Sequence, residues 1–134
     1  MTLPLANLRV LDLTRALTGP YCTQMLGDMG ADIIKIEQPG VGDNSRAWGP
    51  PFEGGESSYY LSVNRNKRSM ALNLRNEHSA AIMHKLVAQS DIIIENFVPG
   101  TMDRSGFGYE QCKAIRPDVI YCSISGFGQV GPDR

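Results

Sequence analysis

Four cations, Arg65, Lys67, Arg68 and Arg75, fall within twelve residues of a chain whose thirteen Lys and Arg are otherwise balanced by fourteen Asp and Glu. Guanidinium groups hold phosphate bidentately and an ammonium acts as a point charge. The run Asn64-Arg65-Asn66-Lys67-Arg68 therefore reads either as a phosphate site or as a solvated charged turn. Arg104, beyond the turn Asn96-Phe97-Val98-Pro99-Gly100, could add a cation at the same sheet edge. One cluster without an aromatic platform or recognition motif is a poor nucleic-acid footprint. A formal net charge of −1 supplies no whole-chain attraction to nucleic acid or to an anionic membrane.

Other constellations are thin. His78 and His84 lie six apart on an expected helix, about 240° around its axis, so they share neither a metal nor a proton relay. Cys22, Cys112 and Cys122 form no Cys-x-x-Cys pair and read as reduced, buried thiols, so no metal site is expected. Glu37 and Glu95 each end an expected strand, where an α/β enzyme can place a catalytic group, although structural hydrogen bonding is the better reading. Leu13 to Pro20 holds a single glycine, which removes the dinucleotide fingerprint, and no P-loop pattern occurs. Ser123 and Ser125 lack the nucleophile elbow and are followed by no histidine.

The elements that must position these groups follow from periodicity. Arg9–Thr14, Asp32–Glu37, Ser69–Leu74, Asp91–Asn96 and Val119–Ile124 read as strands. Cys22, Met25, Leu26 and Met29 form one stripe of a helix that Thr18 caps, Pro20 opens and Gly30 ends. Asn76 caps a second helix reaching about Gln89, with Ala80, Ile82, Met83, Leu86 and Val87 as its buried side, and Tyr109–Ile115 forms a third. Tyr59–Val63 extends briefly, and Gln38–Ser58 is a long loop read as a lid, a binding loop or an interface segment. Strands alternating with helices predict an α/β fold, a Rossmann-like open, mainly parallel sheet with helices on both faces. At 134 residues the chain is one domain. No leader-like start and no run of roughly eighteen apolar residues occur, pointing to a cytoplasmic protein without membrane contact. The glycine-rich segment Ser125–Arg134 leaves a strand and leads to nothing, so the chain reads as truncated.

Six segments, Leu11–Thr14, Gly19–Asp32, Ile34–Glu37, Asn64–Ser69, Glu95–Gly100 and Ser123–Gln129, in this order, resemble those of family III CoA transferases, which include the α-methylacyl-CoA racemases. The resemblance implies an amino-terminal CoA-binding domain over residues 1–134, with CoA as a substrate and no permanently bound cofactor. Carried over position by position, CoA contacts fall at Leu17, Thr18, Gln38, Leu72, Asn73, Leu74, Arg75, Asn96, Phe97, Val98 and Arg104. Leu72 would pack on adenine, and Arg75 and Arg104 would meet phosphate charge. Leu17 and Gln38 replace the glutamine and arginine of the formyl-CoA branch, so the identity of the acids does not transfer.

In this family an aspartate downstream of the Gly-Phe-Gly-Gln loop is the nucleophile, forming mixed anhydride and aspartyl-CoA intermediates. That aspartate is not in this chain, and Asp133 does not occupy its motif, so no catalytic residue is assigned. The expected partners are CoA or acyl-CoA and a carboxylic acid, in a family of interlocked homodimers, and the chain alone is expected to be inactive. The alternatives are part of a racemase, whose histidine and aspartate also lie past that loop, or a non-catalytic interaction module that exposes apolar surface and self-associates.

Overall fold

The computed structural model describes residues 2–132. Five strands form one parallel sheet: β1 (Arg9–Asp12), β2 (Asp32–Glu37), β5 (Lys67–Ala71), β6 (Ile92–Glu95) and β7 (Ile120–Ser123), in the order β5-β2-β1-β6-β7. A two-stranded hairpin, β3 (Phe52–Glu53) with β4 (Glu56–Ser57), stands apart. The helices are α1 (Thr18–Asp28), α2 (Ser58–Ser62), α3 (Glu77–Ala88), α4 (Thr101–Arg104) and α5 (Tyr109–Ile115). No helix among the described residues is long and apolar enough to cross a membrane.

The chain runs outward from β1 to β2 and β5, then crosses back to β6 and β7, so the strand order reverses at the β1/β6 boundary. Right-handed crossovers then put α1 on one face and α3 and α5 on the other. Strand alternation gives two cores. Leu11, Leu13, Ile36 and Ile93 pack with Met83, Val87, Met102, Phe107 and Cys112 on the α3/α5 face. Val10, Ala31, Ile33 and Ile94 pack with Leu26 and Cys22 on the α1 face. Burial pushes the Cys112 thiol up to about 11, so it stays protonated, and all three cysteines are free.

On the α1 face the apolar core occupies only half the sheet. Toward the strands' carboxyl ends, alternation continues from Val10 to Asp12, from Ile33 to Lys35 and Glu37, and from Lys67 to Ser69. This explains a correction to the expected stripe of α1. Met25 and Met29 are exposed and Cys22 and Leu26 half-buried, whereas Gly19, Pro20, Thr23 and Gln24 face inward. The sheet below presents a carboxylate, and Thr23 Oγ1 donates to Asp12 Oδ2 at 2.6 Å. Thr18 opens the helix rather than capping it, with Leu17 at the cap position.

Gly19 is required by close approach. A β-carbon there would sit 2.2 Å from Thr14 Cβ, and Thr14 is buried and bonded to Asp12. In an open helix Gly→Ala gains up to about 1 kcal/mol. Here the clash reverses the sign, and Gly19→Ala is expected to lose about 1–3 kcal/mol in chemical denaturation. A stabilised variant would show that this contact relaxes freely.

Further differences have local causes. Residues 59–62 are helical rather than extended, with Val63 as the C-cap, because Ser57 Oγ accepts from the backbone N–H of Tyr59 and of Tyr60 and starts α2. Asn76 caps α3 as expected, accepting from His78 N at 2.9 Å, yet Ala80 and Ile82 face solvent and Ser79 is buried instead. The long loop is partly ordered, carrying a 3-10 helix (Asn44–Ala47) and the hairpin. Asp133 lies outside the described residues.

Candidate binding cavity

Beyond the carboxyl ends of the strands lies a cavity of about 450 Å³. Ile36 to Pro39 enter it from the end of β2, Leu72 to Arg75 from the turn after β5, Arg15 from the loop after β1 and Phe97 from the loop after β6. Thr101, Met102 and Ser105 close it along α4. Such a crevice, outside the strand ends at a reversal of strand order, is where open α/β sheets take ligands. Its lining mixes apolar walls (Leu72, Leu74, Phe97, Met102) with two guanidinium groups, Arg15 and Arg75.

Of the sequence-predicted contacts, Gln38, Leu72, Asn73, Leu74, Arg75 and Phe97 meet in this cavity. The backbone explains how. Leu72 N donates to Glu37 O at 2.9 Å, joining the β5 turn to the end of β2, and Asn73 Oδ1 accepts from Arg75 N at 3.1 Å to tighten that turn. The other predicted contacts stand elsewhere. Leu17 and Thr18 are exposed at the start of α1, and Val98 lines a smaller neighbouring cavity of about 170 Å³. Arg104 is exposed and donates to Thr101 Oγ1 at 3.2 Å. Asn96 spends its side chain on the β1–α1 loop, accepting from Arg15 N at 2.9 Å and donating to Arg15 O at 2.8 Å.

The cations of the basic run do not converge on one point. Arg65 pairs with Asp28 at 2.6 Å and Arg68 with Asp32 at 2.7 Å, while Lys67 turns inward. Alternation along β5 turns Lys67 and Arg68 to opposite faces, and each cation of the run finds its own carboxylate.

Beneath the cavity, buried charges form a continuous network. Lys67 Nζ contacts Asp12 Oδ2 (3.2 Å), Pro20 O (2.8 Å) and Asn64 Oδ1 (2.9 Å). Burial pulls the Lys67 ammonium down to about 8, and Asp12 acts in the opposite direction. Lys35 Nζ donates to Thr14 O at 2.7 Å and lies 3.0 Å from Asp43 Oδ2, a close ion pair rather than an aligned hydrogen bond. Glu37 accepts from Arg46 Nε (2.7 Å), Arg46 Nη2 (2.8 Å), Ser69 Oγ (2.6 Å), Tyr60 Oη (3.2 Å) and Asp43 N (2.8 Å). Burial would raise its carboxyl, but these donors outweigh it and hold the group at about 2. The long loop thus supplies Asp43, Ser45 and Arg46 to seal a charged sheet face, while Gln38 and Pro39 line the cavity.

Glu95 accepts from Phe97 N at 2.8 Å and serves the turn after β6. His84 is exposed and lies edge-on to Phe107 with ring centroids 5.4 Å apart. Arg15 is the charged cavity residue not anticipated from sequence, and Ile36, Pro39, Thr101, Met102 and Ser105 join it among the unpredicted lining residues. The position of Arg15 just past β1, at the point where strand order reverses, was the available signal.

A profile described as CoA-transferase family III matches residues 5–134. The human succinyl-CoA:glutarate CoA-transferase is 54% identical over 129 residues, covering 96% of this chain and 30% of that protein. The acetyl-CoA:oxalate CoA-transferase of Acetobacter aceti is 50% identical, covering 96% and 33%. A solved CAIB/BAIF family protein from Brucella suis superposes with a TM-score of 0.93 at 46% identity, covering 98% of this chain and 36% of that one. The chain therefore spans about a third of the length of the relatives it matches.

Proposed function

Because this chain belongs to CoA-transferase family III, we propose that it is the part of such an enzyme that holds coenzyme A, and that the complete enzyme moves CoA between carboxylic acids. The observation that carries the reading is the convergence of Gln38, Leu72–Arg75 and Phe97, from three separate segments, on one cavity at the strand ends. Leu72, Leu74, Phe97 and Met102 offer apolar walls to an adenine ring, and Arg75 offers charge to a phosphate. Relatives named for glutarate and oxalate transfer support a small dicarboxylate as acceptor, and their names favour transfer over racemisation.

In the complete enzyme the transfer would use an aspartate carboxylate that attacks the acyl-CoA carbonyl, expels the CoA thiolate and forms a mixed anhydride. The thiolate would then attack the aspartyl carbonyl, giving aspartyl-CoA and the free acid. The buried carboxylates of this chain serve other ends. Asp12, Glu37 and Asp43 are each hydrogen-bonded within the network below the cavity. The chain alone is accordingly expected to bind CoA without turning over acyl-CoA. The complete enzyme would be a homodimer, as the family resemblance implies.

Calorimetric titration with CoA tests the reading. Binding is expected, weakened at least tenfold by Arg75→Glu and by Leu72→Asp, with circular dichroism confirming that each variant folds. No heat at millimolar CoA would refute it.

A further inference from the structure

We propose that Arg15 is a phosphate-binding residue of the cavity, and that Lys35, Asp43 and Asn96 are positioning residues that mount it. This rests on the CoA reading for the identity of the ligand, although the anion site stands on its own geometry.

Arg15 is half-buried and lines the cavity, and no carboxylate among the described residues lies within ion-pair distance of it. A half-buried guanidinium without a counter-ion is an unusual expense in a chain that pairs most of its other buried or half-buried cations. The carboxylate that shares this cavity, Glu37, has both oxygens committed to Arg46. The Arg15 guanidinium carbon lies over the Phe97 ring, 5.1 Å from its centroid, a cation–π contact that uses none of the hydrogen-bonding capacity of the guanidinium N–H groups. Arg75 lines the same cavity, so a ligand with more than one phosphate finds two separate cations.

The backbone beneath Arg15 is held from three sides. Asn96 clasps its N–H and its carbonyl. The buried Lys35 ammonium holds the preceding carbonyl, Thr14 O, at 2.7 Å. Asp43 Oδ1 accepts from the following N–H, that of Ala16, at 3.3 Å. Ala16 itself is left-handed, with φ of 67°, a conformation costly for alanine that persists only where its surroundings over-determine it. So much fixation at one short loop segment is what a preorganised anion contact requires, because it lowers the entropy lost on binding.

Inorganic pyrophosphate is the probe, followed by phosphorus NMR line broadening at low salt. Wild type is expected to bind it, Arg15→Gln to bind at least tenfold more weakly, and Arg15→Lys to fall between, keeping charge but losing the planar fork. Asn96→Leu is expected to weaken binding severalfold. Combining it with Arg15→Gln should add little, because both act through one guanidinium; an additive pair would reduce Asn96 to a structural role. Unchanged binding in Arg15→Gln, or no binding by wild type, would overturn the proposal. Pyrophosphate binding that depends on Arg15 while CoA gives no heat would sink the CoA reading and leave the anion site standing. CoA binding indifferent to Arg15 would do the reverse.

Discussion

Asp12→Ala is expected to cost about 3–5 kcal/mol in urea denaturation at pH 7, the penalty for leaving a buried charge without its partner. Asp12 is fully buried and accepts four hydrogen bonds, from Thr14 N, Thr14 Oγ1, Thr23 Oγ1 and Lys67 Nζ. Its loss strands Lys67, whose side chain is 2% exposed and whose ammonium already titrates at about 8. Without Asp12 that value falls further. A lysine whose folded pKa lies below its unfolded value gains stability as pH rises between the two, so the penalty should shrink between pH 7 and pH 10. Lys67→Met in the Asp12→Ala background should recover 1 kcal/mol or more, on the order measured where buried ion pairs are replaced by apolar groups. A loss below about 1 kcal/mol, with no dependence on pH, would show that water reaches this pair.

Lowering the pH from 5 to 2 is expected to remove about 3 kcal/mol of stability from the wild type through Glu37 alone. The folded carboxyl sits at about 2 against an ordinary value of 4.5. A depressed carboxylate contributes fully above its unfolded value, and the contribution disappears as pH falls through the folded one. Glu37→Gln keeps the shape but not the charge, so its stability at pH 7 should be lower and its acid slope shallower by that amount. Urea midpoints at several pH values measure both. Equal slopes for the two proteins would mean that the Arg46–Glu37 pair does not carry the acid sensitivity. The same change reaches the cavity, since Leu72 N is bonded to the Glu37 carbonyl and Asp43 N to its carboxylate.

The strands, their order of appearance and the three longer helices were legible because each follows from a period: 2 for a strand, 3.6 for a helix. The Asp32–Glu37 and Tyr109–Ile115 boundaries match the structure, and Asn76 caps where its side chain allows. The family resemblance, rather than any period, pointed to Gln38, Leu72–Arg75 and Phe97, which the fold brings to one cavity. The apolar stripe of α1 is genuine at 3.6-residue spacing, but only Cys22 and Leu26 of it pack on the apolar half of the sheet; where the sheet presents Asp12, Thr23 is buried instead. Likewise nothing along the chain shows that the Asn96 side chain lies across the backbone of Arg15, 81 residues away.

Local chemistry along the chain thus determined which segments are strands and helices, that they make a parallel α/β sheet, and which family they resemble. Pairing was decided only in three dimensions. Arg65 and Arg68 find Asp28 and Asp32, Lys67 finds Asp12, Glu37 finds Arg46, and Arg15 and Arg75 are left facing a cavity. The reason is that secondary structure depends on neighbours a few residues apart, whereas the state of a charge depends on every group within a few ångströms, and those arrive from distant parts of the sequence.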